Sequence, residues 1–307
     1  MTNKLTTVSY PLKNSLNNVS SLPYDFQRVA SALLERDCSK HTLIALASDM
    51  RHFLEFYSKQ NNEVFSFKRA VARDVISFRD SMKAVGLKPG SINRRLVNVR
   101  LFFREAQRMG IIQQNPAEGV RQLAMQPLAP KSLTLIETRR LLREIEIGGN
   151  TRDLLAVNLM LLAGLRASEV IGLTITDVDI SERKGTLHIR NAKGNKSREV
   201  PANAQLRDCL TKYIEHYKPQ GQLIVGQRGA IVQLALNQML SKYSKKAGIK
   251  VTPHICRHTF AWNYLAINAG DIVGLAQLLG HNSVTTTQRY TQNRLQDLQD
   301  RVEAVKF

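Results

Sequence analysis

The chain has 307 residues, 43% of them hydrophobic, which is enough to fill the cores of two domains of ordinary size. Lysine and arginine outnumber aspartate and glutamate 44 to 25, and the resulting net charge of +19 points to a polyanionic partner, nucleic acid foremost. The most apolar stretch, residues 154–165, is too short to cross a bilayer and contains Asn158, the N-terminus lacks a charged-then-apolar signal pattern, and Cys38, Cys209 and Cys256 are too scattered for a disulfide framework or a zinc knuckle. Membrane and secreted classes are thereby set aside, and the chain is placed in the cytoplasm.

Residues 1–22 are polar and rich in Ser and Asn, the composition of a flexible arm. Apolar residues then recur at helical spacing. Phe26, Val29, Ala30, Leu33 and Leu34 form one stripe, and Leu43, Leu46, Met50, Phe53, Leu54 and Tyr57 form another. A third helix is predicted over 72–84, ending near Gly86, and a fourth from about Ser91 to Met109, stopped by Gly110. Together they make a small all-helical domain over 23–125. On the fourth helix Leu96, Val99, Phe102, Phe103 and Ala106 share one arc, while Arg100, Arg104 and Arg108 recur every four residues on another. Like charges at that spacing repel mildly, so three in register suggest contact with DNA phosphates, and Arg94, Arg95 and, further on, Lys242 join them as candidate DNA-binding residues.

Residues 126–133, with two prolines and little apolar pattern, read as a linker. Thr134 and Glu137 then form a T-x-x-E capping box that opens a new helix and a second domain, 134–293. An apolar helix is expected over 152–163, a turn and short helix in GLRASEVIGL, and two alternating strands around a turn at Lys193 to Lys196. Helices follow at about 205–217, 234–247 and 253–267. The fold class is therefore mainly α, with a small β-hairpin in the C-terminal domain.

HICRH, residues 254–258, gathers two histidines and an arginine at helical i,i+3 and i,i+4 spacing. Thr252 suits the N-cap and Pro253 the first helical position, so His254 and Arg257 fall in the first turn, where free N–H groups and the helix dipole favour an anion. Zinc is the weaker reading, because Arg257 stands between the histidines and no carboxylate completes the set. Arg166 can pair with Glu169 three residues on, which would hold its guanidinium in position. Cys256 reads as packing, and His258 as a buttress of its helix.

GLRASEV at 164–170, KGNK at 193–196, HICRH, LLGH at 278–281 and a tyrosine nine residues after His281 follow one another in an order that resembles the tyrosine recombinase (phage integrase) family. The resemblance spans about 134–292, and the helical domain before it resembles the family's SAM-like, DNA-clamping domain. It implies a site-specific recombinase that cuts and rejoins DNA through a 3′-phosphotyrosyl bond and a Holliday junction, without metal, ATP or any other cofactor and without a small-molecule substrate. It makes Tyr290 the nucleophile, Arg166 and Arg257 the clamps on the scissile phosphate, Lys193 the general acid and His254 and His281 their partners, with Lys196 competing for the hairpin role. It also implies double-stranded DNA with paired inverted sites as partner and a homotetramer on two duplexes, the tail 294–307 docking on a neighbouring protomer. About twenty residues before the first helix leave little room for a separate arm-binding domain, which suggests an Xer-like or resolution-type enzyme. The β-branched run Val284 to Thr287 weakens the helix ahead of Tyr290, as a nucleophile that moves would require.

Overall fold

The structure, a computed structural model, describes residues 24–35, 40–125, 131–192, 196–226, 229–281, 287 and 290. The expected arm, residues 126–130 of the linker, Lys193, the stretch 282–286 and the tail lie outside the described residues, as do the side chains of Leu34 and Lys196. The chain divides into two compact units, Met1–Gln126 and Pro127–Phe307.

The first unit contains α1 (Tyr24–Leu34), α2 (Lys40–Asn61), α3 (Ala72–Ala84) and α4 (Pro89–Arg108). Each turns its apolar stripe inward, and the core is aromatic: Phe26, Phe53, Phe65, Phe67, Phe78, Phe102 and Phe103 are all buried there. Several of these rings meet edge to face, as Phe53 does with Phe78 at 5.3 Å between centroids. α4 begins two residues before the sequence reading placed it, because Pro89 takes the first turn, where its missing N–H is no loss.

The second unit contains α5 (Leu135–Ile147), α6 (Thr151–Leu162), α7 (Ala167–Gly172), β1 (Val178–Ile180), β2 (Gly185–Ala192), β3 (Lys196–Pro201), α8 (Ala204–Tyr217), β4 (Val225–Gly226), β5 (Gly229–Ala230), α9 (Gln233–Lys246), α10 (Pro253–Ile267) and α11 (Ile272–Leu279). Thr134 caps α5 as its spacing predicts: its hydroxyl accepts from the Glu137 N–H at 3.2 Å, and the Glu137 carboxylate accepts from the Thr134 N–H at 2.8 Å. Leu133, read as the end of a linker, is buried instead, and its N–H donates to Thr259 Oγ1 at 2.9 Å. α6 runs through the core with Leu155, Ala156, Val157, Leu159 and Met160 fully covered.

The expected hairpin is β2–β3, and β1 extends it to an antiparallel sheet in the order β1-β2-β3. A second ribbon, β4–β5, is too short to leave a period in the sequence. Leu187 pairs with Val200 and Ile189 with Arg198, so an arginine shares the inward face of the hairpin with three buried aliphatic side chains. No helix among the described residues is long and apolar enough to cross a membrane.

Candidate active site

Two glycines bring backbone segments together around the site. Gly164 has φ +63°, and a Cβ there would lie 2.4 Å from the Phe260 ring; Gly280 has φ +62°, and a Cβ there would press on the Arg198 guanidinium at 3.0 Å. Both carbonyls are used. Gly164 O accepts from Arg257 Nη1 at 2.6 Å, and Gly280 O from Arg166 Nη2 at 3.2 Å.

Arg166 is the N-cap of α7. Its backbone N–H donates to Glu169 Oε2 at 2.8 Å and its Nη1 to Glu169 Oε1 at 2.7 Å, so the pairing read from the sequence is present. Arg257, one turn into α10, is buried; its Nη2 donates to Leu279 O at 2.6 Å and lies 3.3 Å from His281 Nε2. A guanidinium can only donate, so Nε2 of His281 is the acceptor, and Nδ1 carries the proton that reaches Thr287 Oγ1 at 2.8 Å. Arg257 also stands 3.7 Å from Glu169. Burial and the charge of Arg166 pull the Arg257 pKa down to about 9, which keeps it charged at neutral pH.

The Glu169 carboxylate is the anion of this cationic cluster. Burial works to raise its pKa, but hydrogen bonds and charge from Arg198 and Arg166 outweigh that and hold it at about 2. Arg166, His254 and Arg257 line one cleft of about 720 Å³, together with Ser168, Asn237 and Lys250. His254 is exposed on the first turn of α10, behind the Thr252 cap. Such a cleft, floored by guanidinium forks at a helix N-terminus, is suited to a phosphodiester and to the extra charge it gains when attacked.

Tyr290 is buried against Ala261, Leu275 and Leu279, and its hydroxyl meets His258 Nδ1 at 2.6 Å. The sequence reading made His258 a buttress of its own helix; the structure puts it on the candidate nucleophile. The available signal was its position one residue after Arg257 and four after His254, but nothing local indicated a partner 32 residues away. Cys256 is buried packing as expected.

Of the candidate DNA-binding residues, the α4 arginines are all engaged within the first unit. Arg94 and Arg95 approach the buried Asp49, Arg100 donates to the Ala117 and Val120 carbonyls, Arg104 pairs with Glu118, and Arg108 with Glu105. The repulsion argued from their spacing is therefore relieved without any phosphate. The sequence reading overlooked Glu105, at i−3, and Glu118, which arrives from a loop. Lys242 is exposed on α9 with its ammonium 5.2 Å from the centre of the Tyr243 ring. Among the described residues no three His, Cys, Asp or Glu side chains form a metal-ligating group.

Residues 131–297 match the phage integrase family, and residues 30–110 match the phage integrase N-terminal SAM-like domain. The chain belongs to the tyrosine recombinase (phage integrase) family. It is 29% identical to the tyrosine recombinase XerC of Thermodesulfovibrio yellowstonii over 96% of this chain and 95% of that one. It is 32% identical to the tyrosine recombinase XerA of Thermococcus kodakarensis over 88% and 90%. Among solved structures, the XerH site-specific recombinase bound to a palindromic difH substrate in a post-cleavage complex superposes with a TM-score of 0.76 at 19% identity, over 99% of this chain and 91% of that one. As a member of this family the chain is an Xer-like site-specific recombinase that breaks and rejoins DNA.

Proposed function

We propose that Tyr290 attacks a scissile phosphodiester held in the cleft by Arg166 and Arg257. The new bond joins the phenolic oxygen to phosphorus, the bond from phosphorus to the 5′ oxygen breaks, and the leaving oxygen takes a proton from Lys193. The phenolic proton passes to a histidine, His258 Nδ1 being the nearest acceptor in this structure. His254 donates to a non-bridging oxygen, whose developing charge the two guanidinium groups also meet, and His281, accepting from Arg257, holds that fork in place. Reversal with a 5′ hydroxyl from a partner strand completes exchange, and the energy of each phosphodiester is stored in the protein link. Two rounds pass through a Holliday junction.

The observation that carries this reading is the shared cleft of Arg166, His254 and Arg257, with His281 on Arg257. In this structure Tyr290 is buried, so attack requires its side chain to leave Ala261, Leu275 and Leu279. The biological partner in this reading is double-stranded DNA carrying inverted half-sites, held by a homotetramer on two duplexes in the cytoplasm, with the 294–307 tail reaching a neighbouring protomer. Resolution of replicon dimers or of transposon cointegrates is the task that suits an Xer-like chain. Arg94, Arg104 and Arg108, whose side chains are 50, 57 and 68% exposed, and Lys242 serve as phosphate contacts. Arg95 and Arg100 serve chiefly the fold.

The test begins with duplexes selected by binding from a random-sequence pool. Wild-type protein and Tyr290→Phe are incubated with them in the presence of chelator, and covalent adducts are resolved on a denaturing gel. An adduct formed by the wild type and absent from the variant is expected; an adduct of equal yield in both would overturn the role of Tyr290.

A further inference from the structure

Arg198, the hairpin arginine opposite Ile189, takes no part in the chemistry above, yet its contacts converge on the site. Its Nη1 donates to Glu169 Oε1 and its Nη2 to Glu169 Oε2, both at 2.8 Å, and its Nε donates to Leu278 O at 2.8 Å. Its guanidinium also underlies Gly280. The side chain is only 9% exposed and does not line the cleft of Arg166, His254 and Arg257. A cation this buried, on a strand face otherwise filled by Leu187, Ile189 and Val200, is tolerated because its charge and three of its donors are matched.

We infer that Arg198 is a positioning residue for strand cleavage: it saturates Glu169 and ties the hairpin to the end of α11, so that the Arg166 and Arg257 forks stay aimed at the phosphate and His281 stays on Arg257. This rests on the roles proposed above for Arg166, Arg257 and His281. The mechanism is one of hydrogen-bond competition. Glu169 accepts four N–H groups, two from Arg166 and two from Arg198. Without the two from Arg198, the carboxylate would be left half-satisfied in a buried position, and its nearest remaining donors would be Arg166 and Arg257. Both forks would turn inward, away from the cleft. The Leu278 and Gly280 contacts extend the effect to the backbone just before His281. Lysine cannot replace this arrangement, because one ammonium cannot span both carboxylate oxygens and a carbonyl in a fixed plane.

Two variants, Arg198→Lys and Arg198→Gln, test this by two readouts. Without DNA, hydrogen exchange follows the Arg166 amide, which donates to Glu169 Oε2. Exchange about tenfold slower in both folded variants is expected, because the carboxylate then draws on its Arg166 donors alone, and unchanged or faster exchange would overturn the brace. With the selected duplexes, adduct formation is expected to slow about 10- to 100-fold in both variants while duplex affinity stays within about twofold. Arg198→Gln should slow Glu169→Gln by a smaller factor than it slows the wild type, since Arg198 acts mainly through Glu169 and only in part through Leu278. Parallel loss of affinity would make Arg198 a DNA contact, and cleavage at the wild-type rate in a folded Arg198→Gln would make it a stability residue only; each overturns the proposal. Failure of both variants to fold at the assay temperature counts against it in the same way. An absence of adduct with wild-type protein bears on the proposed chemistry, while the exchange readout still decides the brace.

Discussion

Glu169 carries a pH signature that follows from its surroundings. Its carboxyl titrates at about 2 in the folded chain against an ordinary value of 4.5. A depressed folded pKa contributes stability that is complete above the unfolded value and lost as pH falls through the folded one. The difference in melting temperature between wild type and Glu169→Gln should therefore be full at pH 6 and shrink between about pH 4.5 and 2. A constant difference across that window would contradict the arginine cage. Part of this scale was legible: the Thr252 cap, the Pro253 start of the helix and the pairing of Arg166 with Glu169 are present as the spacing predicts. His258 on Tyr290 and Arg198 on Glu169 were not, because each contact joins residues about 30 positions apart. Arg198 did leave a trace, since alternation along β3 puts it on the inward side with Val200, where an arginine must find a partner.

Among the elements, the turn into α7 rests on Gly164. Its left-handed backbone and the Phe260 ring 2.4 Å from a notional Cβ both exclude a side chain. Gly164→Ala is expected to cost about 2–4 kcal/mol, the left-handed penalty and overpacking combined. Gly149, with φ +63° and open space around it, is the control and should cost only about 1–2 kcal/mol when changed to alanine. Denaturant midpoints measure both, and equal losses would mean that the Phe260 contact contributes nothing. Helices with a strong apolar period, such as α4, and the boxed start of α5 were legible from pattern alone. β1, β4 and β5 were not, because two or three residues carry no period and their pairing is set by distant partners.

At the scale of the whole molecule, the charge of +19 is the property that most constrains the partner. Removing one side-chain cation that neutralises a phosphate should lower the slope of log affinity against log salt by about 0.9 for duplex DNA. Arg104→Gln with Arg108→Gln is therefore expected to weaken binding uniformly across duplex sequences and to reduce that slope by about 2. An unchanged slope would mean that Glu105 and Glu118 are their only partners. The basic excess was legible in composition, and the break between the two compact units falls inside the stretch 126–133 read as a linker. The number of cations available to DNA was not, because the α4 arginines meet acids and carbonyls that no helical spacing reveals.

The most direct measurement is the polarity of the covalent link. A selected duplex labelled at the 5′ end of the cleaved strand, and the same duplex labelled at its 3′ end, are each incubated with the protein and resolved under denaturing conditions. If Tyr290 displaces the 5′ oxygen, the 5′ label travels with the protein and the 3′ label is released on a strand ending in a free hydroxyl. Retention of the 3′ label with release of the 5′ label would place the protein on the other side of the break and contradict the proposed chemistry.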